Sequence, residues 1–474
     1  MNASLPRRAP SELNVDAAGI TAFLDGLETS VDVEPHSIVL LRGGAVIAEG
    51  SWAPYAAERP QLLYSLSKSF TSTAAGFAFD EGLLALDDTV LSYFPELDAE
   101  VTDIRARSIL VRHALAMASG HHADTIEEAF AIDAANLVRG FLLTPPDSDP
   151  GTVFAYNQPA TYAVAAIVQR VTGQRLTEYL RPRLFDPLGI GDVGWIQDAS
   201  GRQQGYSGLF APSHAIALLG QLYLQRGRWK DDQILSTAWI DEATSLRVVT
   251  TREANPDWSE GYGYQFWMAR HGYRGDGAYG QFCVVLPDHD VVLALTGQSS
   301  DMQRVLDLVW EHLLPAFRHG PTRDVDREAD ALLAQRLSAA QLPPVATNLA
   351  IPAPQSQSFS PEEGNDCPDL ARLDLTADAH DLAWSLTLRD GDDRLEVVPG
   401  LGEWNVDGAT AVSAGRLAPG AETAAGERLA VDVIFLETPH RLHLVLDPAS
   451  SRFTAKWATN PLGAMPLRAM RMPE

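Results

Sequence analysis

Lysine is nearly missing from this chain. Of its 36 basic residues only Lys68, Lys230 and Lys456 are lysines, and arginine supplies the rest. Arginine stays protonated, so a chain written this way has almost no side-chain amine able to take up a proton. Cysteine is scarce as well. Cys283 and Cys367 lie far apart, which excludes a disulfide framework and a cysteine-based metal centre. No run of about 18 apolar residues occurs, and the first residues lack the apolar centre of a signal peptide, so a cytoplasmic chain is expected. Basic charge is outnumbered: 62 acidic residues give a net charge of −26. Nucleic acid and an anionic membrane would both be repelled, and neither is an expected partner. A Gly-x-Ser-x-Gly elbow is also absent, which argues against an α/β-hydrolase triad.

What is present has the composition of an ordinary globular protein, 474 residues long with 46% apolar residues. That length suggests two domains. Ile20, Phe23, Leu24 and Leu27 form the stripe of an amphipathic helix, and 36–41 and 45–52 read as a hairpin turning at Arg42-Gly43-Gly44. From about 105 to 250 the pattern is mostly helical. Strands return at 262–269, 278–286 and 290–295, and 302–317 closes the set as a helix. These elements predict an α+β fold: an antiparallel sheet flanked by terminal helices, with an inserted helical subdomain over about 65–255. A helix over 326–341 ends this first domain, 1–342. Residues 343–365, rich in Pro, Ser and Gln, read as a linker. Period-2 alternation at Leu382, Trp384, Leu386 and Leu388, at Leu442, Leu444 and Leu446, and at Phe453, Ala455 and Trp457 then predicts a C-terminal antiparallel β-barrel or sandwich over 366–474.

The retained lysine that matters is Lys68, in Leu63-Tyr64-Ser65-Leu66-Ser67-Lys68. Residues i and i+3 share a helix face, so the Ser65 hydroxyl and the Lys68 amine can meet. Serine is a weak nucleophile unless a neighbour handles its proton, and a buried lysine with a lowered pKa can do so. Neither other lysine has a serine three residues before it. Taken alone, the spacing also fits a helix N-cap followed by a solvated lysine. Two more stretches add to it. Phe154-Ala155-Tyr156-Asn157-Gln158-Pro159 runs into a helix, and a phenol beside an ammonium can serve as a base, although Tyr156 can equally be a packing residue. Arg274-Gly275-Asp276-Gly277-Ala278 lies where small residues would let a substrate backbone approach a sheet edge. His121, His122 and Asp124 have no metal-site spacing, and no metal or cofactor is expected.

Ser65-x-x-Lys68, then Tyr156-Asn157-Gln158, then Gly275-Asp276-Gly277 in that chain order resembles the serine β-lactamase superfamily, in its class C β-lactamase-like branch of esterases, D-amino-acid peptidases and penicillin-binding-protein-like hydrolases. The resemblance covers about 15–320, with Met117-Ala-Ser-Gly120 in support. It implies acyl transfer through Ser65, with Lys68 and Tyr156 moving its proton in an order the sequence leaves open. It further implies an oxyanion hole from the N–H groups of Ser65 and Ala278, and substrate contacts from Asn157, Gln158, Asp276 and Gly277. Two departures from the family pattern stand out. Gln158 replaces the usual Asn, and Gly275-Asp276-Gly277 replaces Lys-Thr-Gly, removing the cation that would hold a β-lactam or peptide carboxylate. The expected function is therefore hydrolysis of small esters or amides, uncharged or cationic. The alternatives are a D-amino-acid peptidase, a weak β-lactamase, or a non-catalytic binding protein that keeps the fold.

Overall fold

A computed structural model describes residues 5–250, 253–317, 326–346, 355–377, 384–417, 428–463 and 465–473. Its contacts divide the chain into two compact units. One holds the chain up to Gly50 together with Leu63–Ser338, and the other holds Ser51–Leu62 together with Ala339–Pro473.

In the first unit the apolar stripe becomes helix α1 (Ala17–Thr29), which buries Ile20, Phe23, Leu24 and Leu27 and is capped by the Asp16 carboxylate on the Ala18 N–H at 3.1 Å. The hairpin follows as β1 (Val33–Arg42) and β2 (Ala45–Ser51). Helix α2 (Ser67–Asp80) is buried along almost its whole length and is followed by Gly82 at φ +71°. Helix α3 (Gln158–Thr172) and helix α4 (Ser213–Leu224) belong to the helical stretch. The sheet resumes as β3 (Trp267–Ala269), β4 (Gly272–Gly277), β5 (Gln281–Leu286) and β6 (Val291–Ser299), in the order β2-β1-β6-β5-β4-β3.

Helices cover both faces of this sheet, so its inner strands read as continuous apolar runs. Val39, Leu41, Cys283, Val285, Val292 and Ala294 join one core with α2 and α4. The alternate residues Ile38, Leu40, Val284 and Leu293 are equally buried. On α4 the close approach to the sheet requires Gly220, because a Cβ there would lie 2.5 Å from Val292 Cγ1 and 2.9 Å from Cys283 Sγ.

The α+β class agrees with the sequence reading, and two elements differ in detail. The expected strand over 262–269 shortens to β3, because Gln265 adopts φ +65° and breaks the extended backbone. Gly272–Gly277, which lies before the strand expected over 278–286, is a strand in its own right. Asp326–Ser338 is helical, as expected.

In the second unit ten strands form one curled sheet rather than a closed barrel. They are β7 (Gln357–Pro361), β8 (Leu370–Ala377), β9 (Trp384–Asp390), β10 (Asp393–Val397), β11 (Gly400–Leu401), β12 (Asn405–Asp407), β13 (Thr410–Leu417), β14 (Arg428–Phe435), β15 (Arg441–Asp447) and β16 (Arg452–Trp457). Their order is β10-β9-β8-β7-β16-β15-β14-β13-β11, with β12 paired to β13. Leu442, Leu444 and Leu446 face a core shared with Phe359, Leu386, Leu388, Val431 and Phe453, which accounts for the period-2 signal. Of the expected linker, 347–354 lies outside the described residues, as does Leu382 of the alternating set.

From sequence, Ser51–Leu62 reads only as the end of a strand and a connection. The structure ties it to the second unit: Ala53 N–H donates to Ala340 O at 3.0 Å, Leu342 N–H to Ala53 O at 2.7 Å, and Leu62 N–H to Glu437 O at 2.8 Å. Arg59 adds a bond to Gly408 O at 2.7 Å.

Candidate active site

Ser65 lies in a 3₁₀ turn (Tyr64–Leu66) that leads directly into α2, and Tyr64 before it takes the left-handed φ of 47°. This turn leaves Ser65 partly exposed while Lys68, one turn later, is 1% exposed. A helix buried on all sides must satisfy its polar side chains internally. Accordingly Ser69 donates to Gln265 O at 3.0 Å, Ser72 to Tyr264 O at 2.7 Å, and Thr71 to Gly205 O at 2.7 Å. The last of these fixes the loop that brings the Tyr206 carbonyl to Lys68.

Three oxygens surround the Lys68 Nζ: Ser65 Oγ at 2.9 Å, Gln158 Oε1 at 2.6 Å and Tyr206 O at 2.8 Å. The ring of Tyr156 lies against the same nitrogen, 4.6 Å from centroid to Nζ, and its phenol hydrogen-bonds to Ser65. Trp267 stacks on Tyr156 with centroids 5.4 Å apart and planes 19° from parallel, and Tyr262 meets both rings edge-on. These aromatic walls account for the electrostatics. Burial pulls the Lys68 amine down from 10.5 to about 7, against the Asp124 and Asp276 carboxylates, which favour its charged form. Burial, reinforced by Asp276, pushes the Tyr156 phenol well above its ordinary 10.

A family model described as Beta-lactamase matches residues 31–314. The chain belongs to the β-lactamase family. Among its relatives, the 6-aminohexanoate-dimer hydrolase of Paenarthrobacter ureafaciens is 28% identical over 310 residues, which is 60% of this chain and 78% of that protein. The lovastatin esterase of Penicillium rubens is 31% identical over 172 residues, 32% of this chain and 43% of that protein. The octameric penicillin-binding protein homologue of Pyrococcus abyssi shares the fold, with a TM-score of 0.50 at 16% identity, over 90% of this chain and 96% of that one. This β-lactamase-family chain is thus a serine hydrolase of the superfamily.

Ser65, Lys68, Tyr156 and Gln158 therefore converge, while other residues singled out from the sequence do not. Asn157, expected to touch substrate, is wholly buried: its Oδ1 accepts from the Thr125 N–H and hydroxyl, both at 3.1 Å, and its Nδ2 lies 3.3 Å from His121 Nδ1. Successive residues entering a helix point in different directions, so Tyr156 and Gln158 meet Lys68 while Asn157 between them turns inward to Thr125. Asp276, also expected to bind substrate, is 7% exposed and accepts from Arg274 Nε at 3.0 Å. Arg274 is itself buried, with Nη1 on Asp257 O at 2.8 Å and its guanidinium over the Trp258 ring. Gly277 serves close packing, because a Cβ there would lie 2.0 Å from Leu63 O. Ala278 follows it and is half-exposed, and next comes Tyr279, at φ 66°, whose ring packs edge-on against Tyr64 with centroids 5.6 Å apart. The residues flanking Ser65 and Ala278 are thereby held together.

Two contributors escape a reading of the sequence. The Tyr206 carbonyl is a main-chain atom, and no side-chain pattern announces it. Asp124 draws notice in the sequence only beside His121 and His122, in a spacing that gives it no role; its Oδ1 accepts from the Gln158 N–H at 3.0 Å. His121 pairs with Ser119 Oγ at 2.9 Å and Thr144 O at 3.0 Å, and His122 with Ser148 Oγ at 2.8 Å. Among the described residues no three His, Cys, Asp or Glu side chains gather as metal ligands, and no helix is long and apolar enough to cross a membrane.

Proposed function

We propose that the chain hydrolyses small carboxylic esters or amides through an acyl-enzyme on Ser65, with neutral Lys68 as the base for acylation and Tyr156 as proton donor to the leaving group. The observation that carries this reading is the set of three oxygens around Nζ. Gln158 Oε1 and Tyr206 O are acceptors only, whereas the Ser65 hydroxyl can donate. A neutral amine has two N–H bonds and one lone pair. With both N–H bonds spent on the two carbonyl oxygens, the lone pair is left facing the serine proton.

As Ser65 Oγ bonds to the substrate carbonyl carbon, its proton passes to Nζ. The negative carbonyl oxygen would be held by the N–H groups of Ser65 and Ala278. Collapse breaks the bond to the leaving group, which takes the Tyr156 proton, and the Lys68 ammonium restores it. Water then attacks the acyl carbon by the same route in reverse. The lowered amine and raised phenol support this division of labour, because a base needs its lone pair free near neutral pH and a donor needs its proton.

Uncharged or cationic substrates suit this cleft. The Lys of the family's Lys-Thr-Gly is here Gly275, and the guanidinium of the preceding residue, Arg274, is closed in by Asp276 and main-chain carbonyls. The catalytic unit lies within 1–342, from which Ser51–Leu62 groups with the β unit, and the β unit follows the 343–365 linker as 366–474; the enzyme acts in a cytoplasmic setting on a small-molecule substrate. The test is pre-steady-state release of p-nitrophenol from a short-chain ester. A burst near one equivalent that Ser65→Ala lacks is expected, and equal turnover by the variant would overturn the reading.

A further inference from the structure

Gln158 can assist the base only in one of its two amide orientations. With Oε1 toward Lys68, as observed at 2.6 Å, it accepts an N–H and frees the lone pair for Ser65. With the NH₂ toward Lys68, it would donate into that lone pair and occupy it. What sets the orientation is the residue on the other side of the amide. The Asp124 carboxylate accepts from the Gln158 main-chain N–H at 3.0 Å and from the Ile126 N–H, and it also engages the Gln158 side-chain amide. A carboxylate accepts only, so it draws the NH₂ end toward itself and turns the carbonyl end to Lys68. The Asp124 side chain reaches solvent, yet partial burial of its carboxyl raises its pKa, with the Lys68 charge acting against that, and among the described residues it forms no ion pair.

We infer that Asp124 is a positioning residue for the acylation base: it fixes the polarity of the Gln158 amide that accepts from Lys68. This rests on the proposed Ser65–Lys68 chemistry. The charged or titratable groups that bear on Lys68 are Asp124 and Asp276, with Arg274 neutralising the latter, and Tyr156, whose ring lies against Nζ. Asp124 is the carboxylate among them with no guanidinium partner, so its removal changes the local charge by a full unit.

The experiment follows kcat and kcat/KM against pH for the full chain with a p-nitrophenyl ester. Asp124→Asn keeps the size, deletes the charge and replaces an acceptor by a donor. The sign follows from the lysine: less negative charge lowers the amine pKa, so the acid limb moves to lower pH, by on the order of half a unit. The plateau kcat is expected to fall about tenfold as the amide loses its fixed polarity. Asp124→Glu should return the limb toward its wild-type position. On a Gln158→Met background, Asp124→Asn should lower the plateau no further. An unmoved limb with an unchanged plateau, a Glu variant that behaves as the Asn variant, or an additive loss on the Met background would each overturn the inference. Ser65→Ala run in parallel separates the two ideas: turnover that survives it removes the acyl-enzyme reading itself, whereas an inactive Ser65→Ala beside an unaffected Asp124→Asn removes only the role of Asp124.

Discussion

The amine of Lys68 makes the stability of the fold depend on pH in a way that can be isolated. Its pKa is lowered by burial from 10.5 to about 7, so between these values the unfolded chain holds a proton that the folded chain has released. The unfolded state binds more protons, and stability therefore rises with pH across this window. Below about pH 7 both states are protonated and the folded state bears the whole cost of a buried ammonium, about 5 kcal/mol for an amine whose pKa is lowered this far. Lys68→Met removes the titrating group, so the difference between the two proteins cancels the ionisations that do not couple to Lys68; the coupled carboxylates, Asp124 and Asp276, titrate well below this window. Between about pH 7.5 and 9.5 the wild type should gain on the order of 2.5 kcal/mol relative to Lys68→Met, once the small protonated fraction at the lower pH is subtracted. Urea unfolding followed by tryptophan fluorescence at both pH values reads this directly. A difference that stays constant within about 0.5 kcal/mol would show an ordinary, protonated amine, and would remove the base from the proposed mechanism.

Further expectations concern the residues around the nucleophile. Gly277→Ala would drive a Cβ to 2.0 Å from Leu63 O and 3.1 Å from Leu66 N, so it should cost about 3 kcal/mol of stability and slow acylation because the turn carrying Ser65 must shift; a variant with wild-type melting and kcat would refute the close packing. Asn157→Ala strands the buried Thr125 N–H and hydroxyl and should destabilise by about 2 kcal/mol. Its KM for a small ester should stay within about twofold, whereas a large rise in KM with intact stability would return Asn157 to the substrate. Lys68→Arg keeps the charge but has no lone pair to offer, so acylation should fall by about a thousandfold or more, and a burst rate near that of the wild type would point to Tyr156 as the base.

How much is legible in the sequence follows from what carries each signal. Apolar periodicity marks Ile20 to Leu27 and Leu442 to Leu446 because side chains alone decide which face is buried. The meeting of Ser65 and Lys68 is legible for the same reason, since i and i+3 fix direction locally. Gly272–Gly277 hides as a strand: two of its core-facing positions are glycine, shaped by contact with Leu63 and Ser69 rather than by hydrophobicity. The Tyr206 carbonyl and the placement of Asp124 depend on loops folded back from 141 and 59 residues beyond Ser65, and no local pattern encodes such a return. The buried fate of Asn157 hinges on Thr125 and His121 for the same reason.

The segment Ser51–Leu62 bears on how this protein can be cut and recombined. Its hydrogen-bond partners lie at Ala340, Leu342, Gly408 and Glu437, yet only Leu63 and Tyr64 separate it from Ser65. The β unit is therefore not a tail that can be trimmed at residue 342 to leave a self-sufficient catalytic half. A chain shortened there would keep the Ala53 bonds to Ala340 and Leu342 but lose those of Arg59 to Gly408 and of Leu62 to Glu437, the last of them directly upstream of the nucleophile. Exchange of the β unit between related hydrolases would have to carry two separate stretches of sequence at once, one of them ending three residues before Ser65.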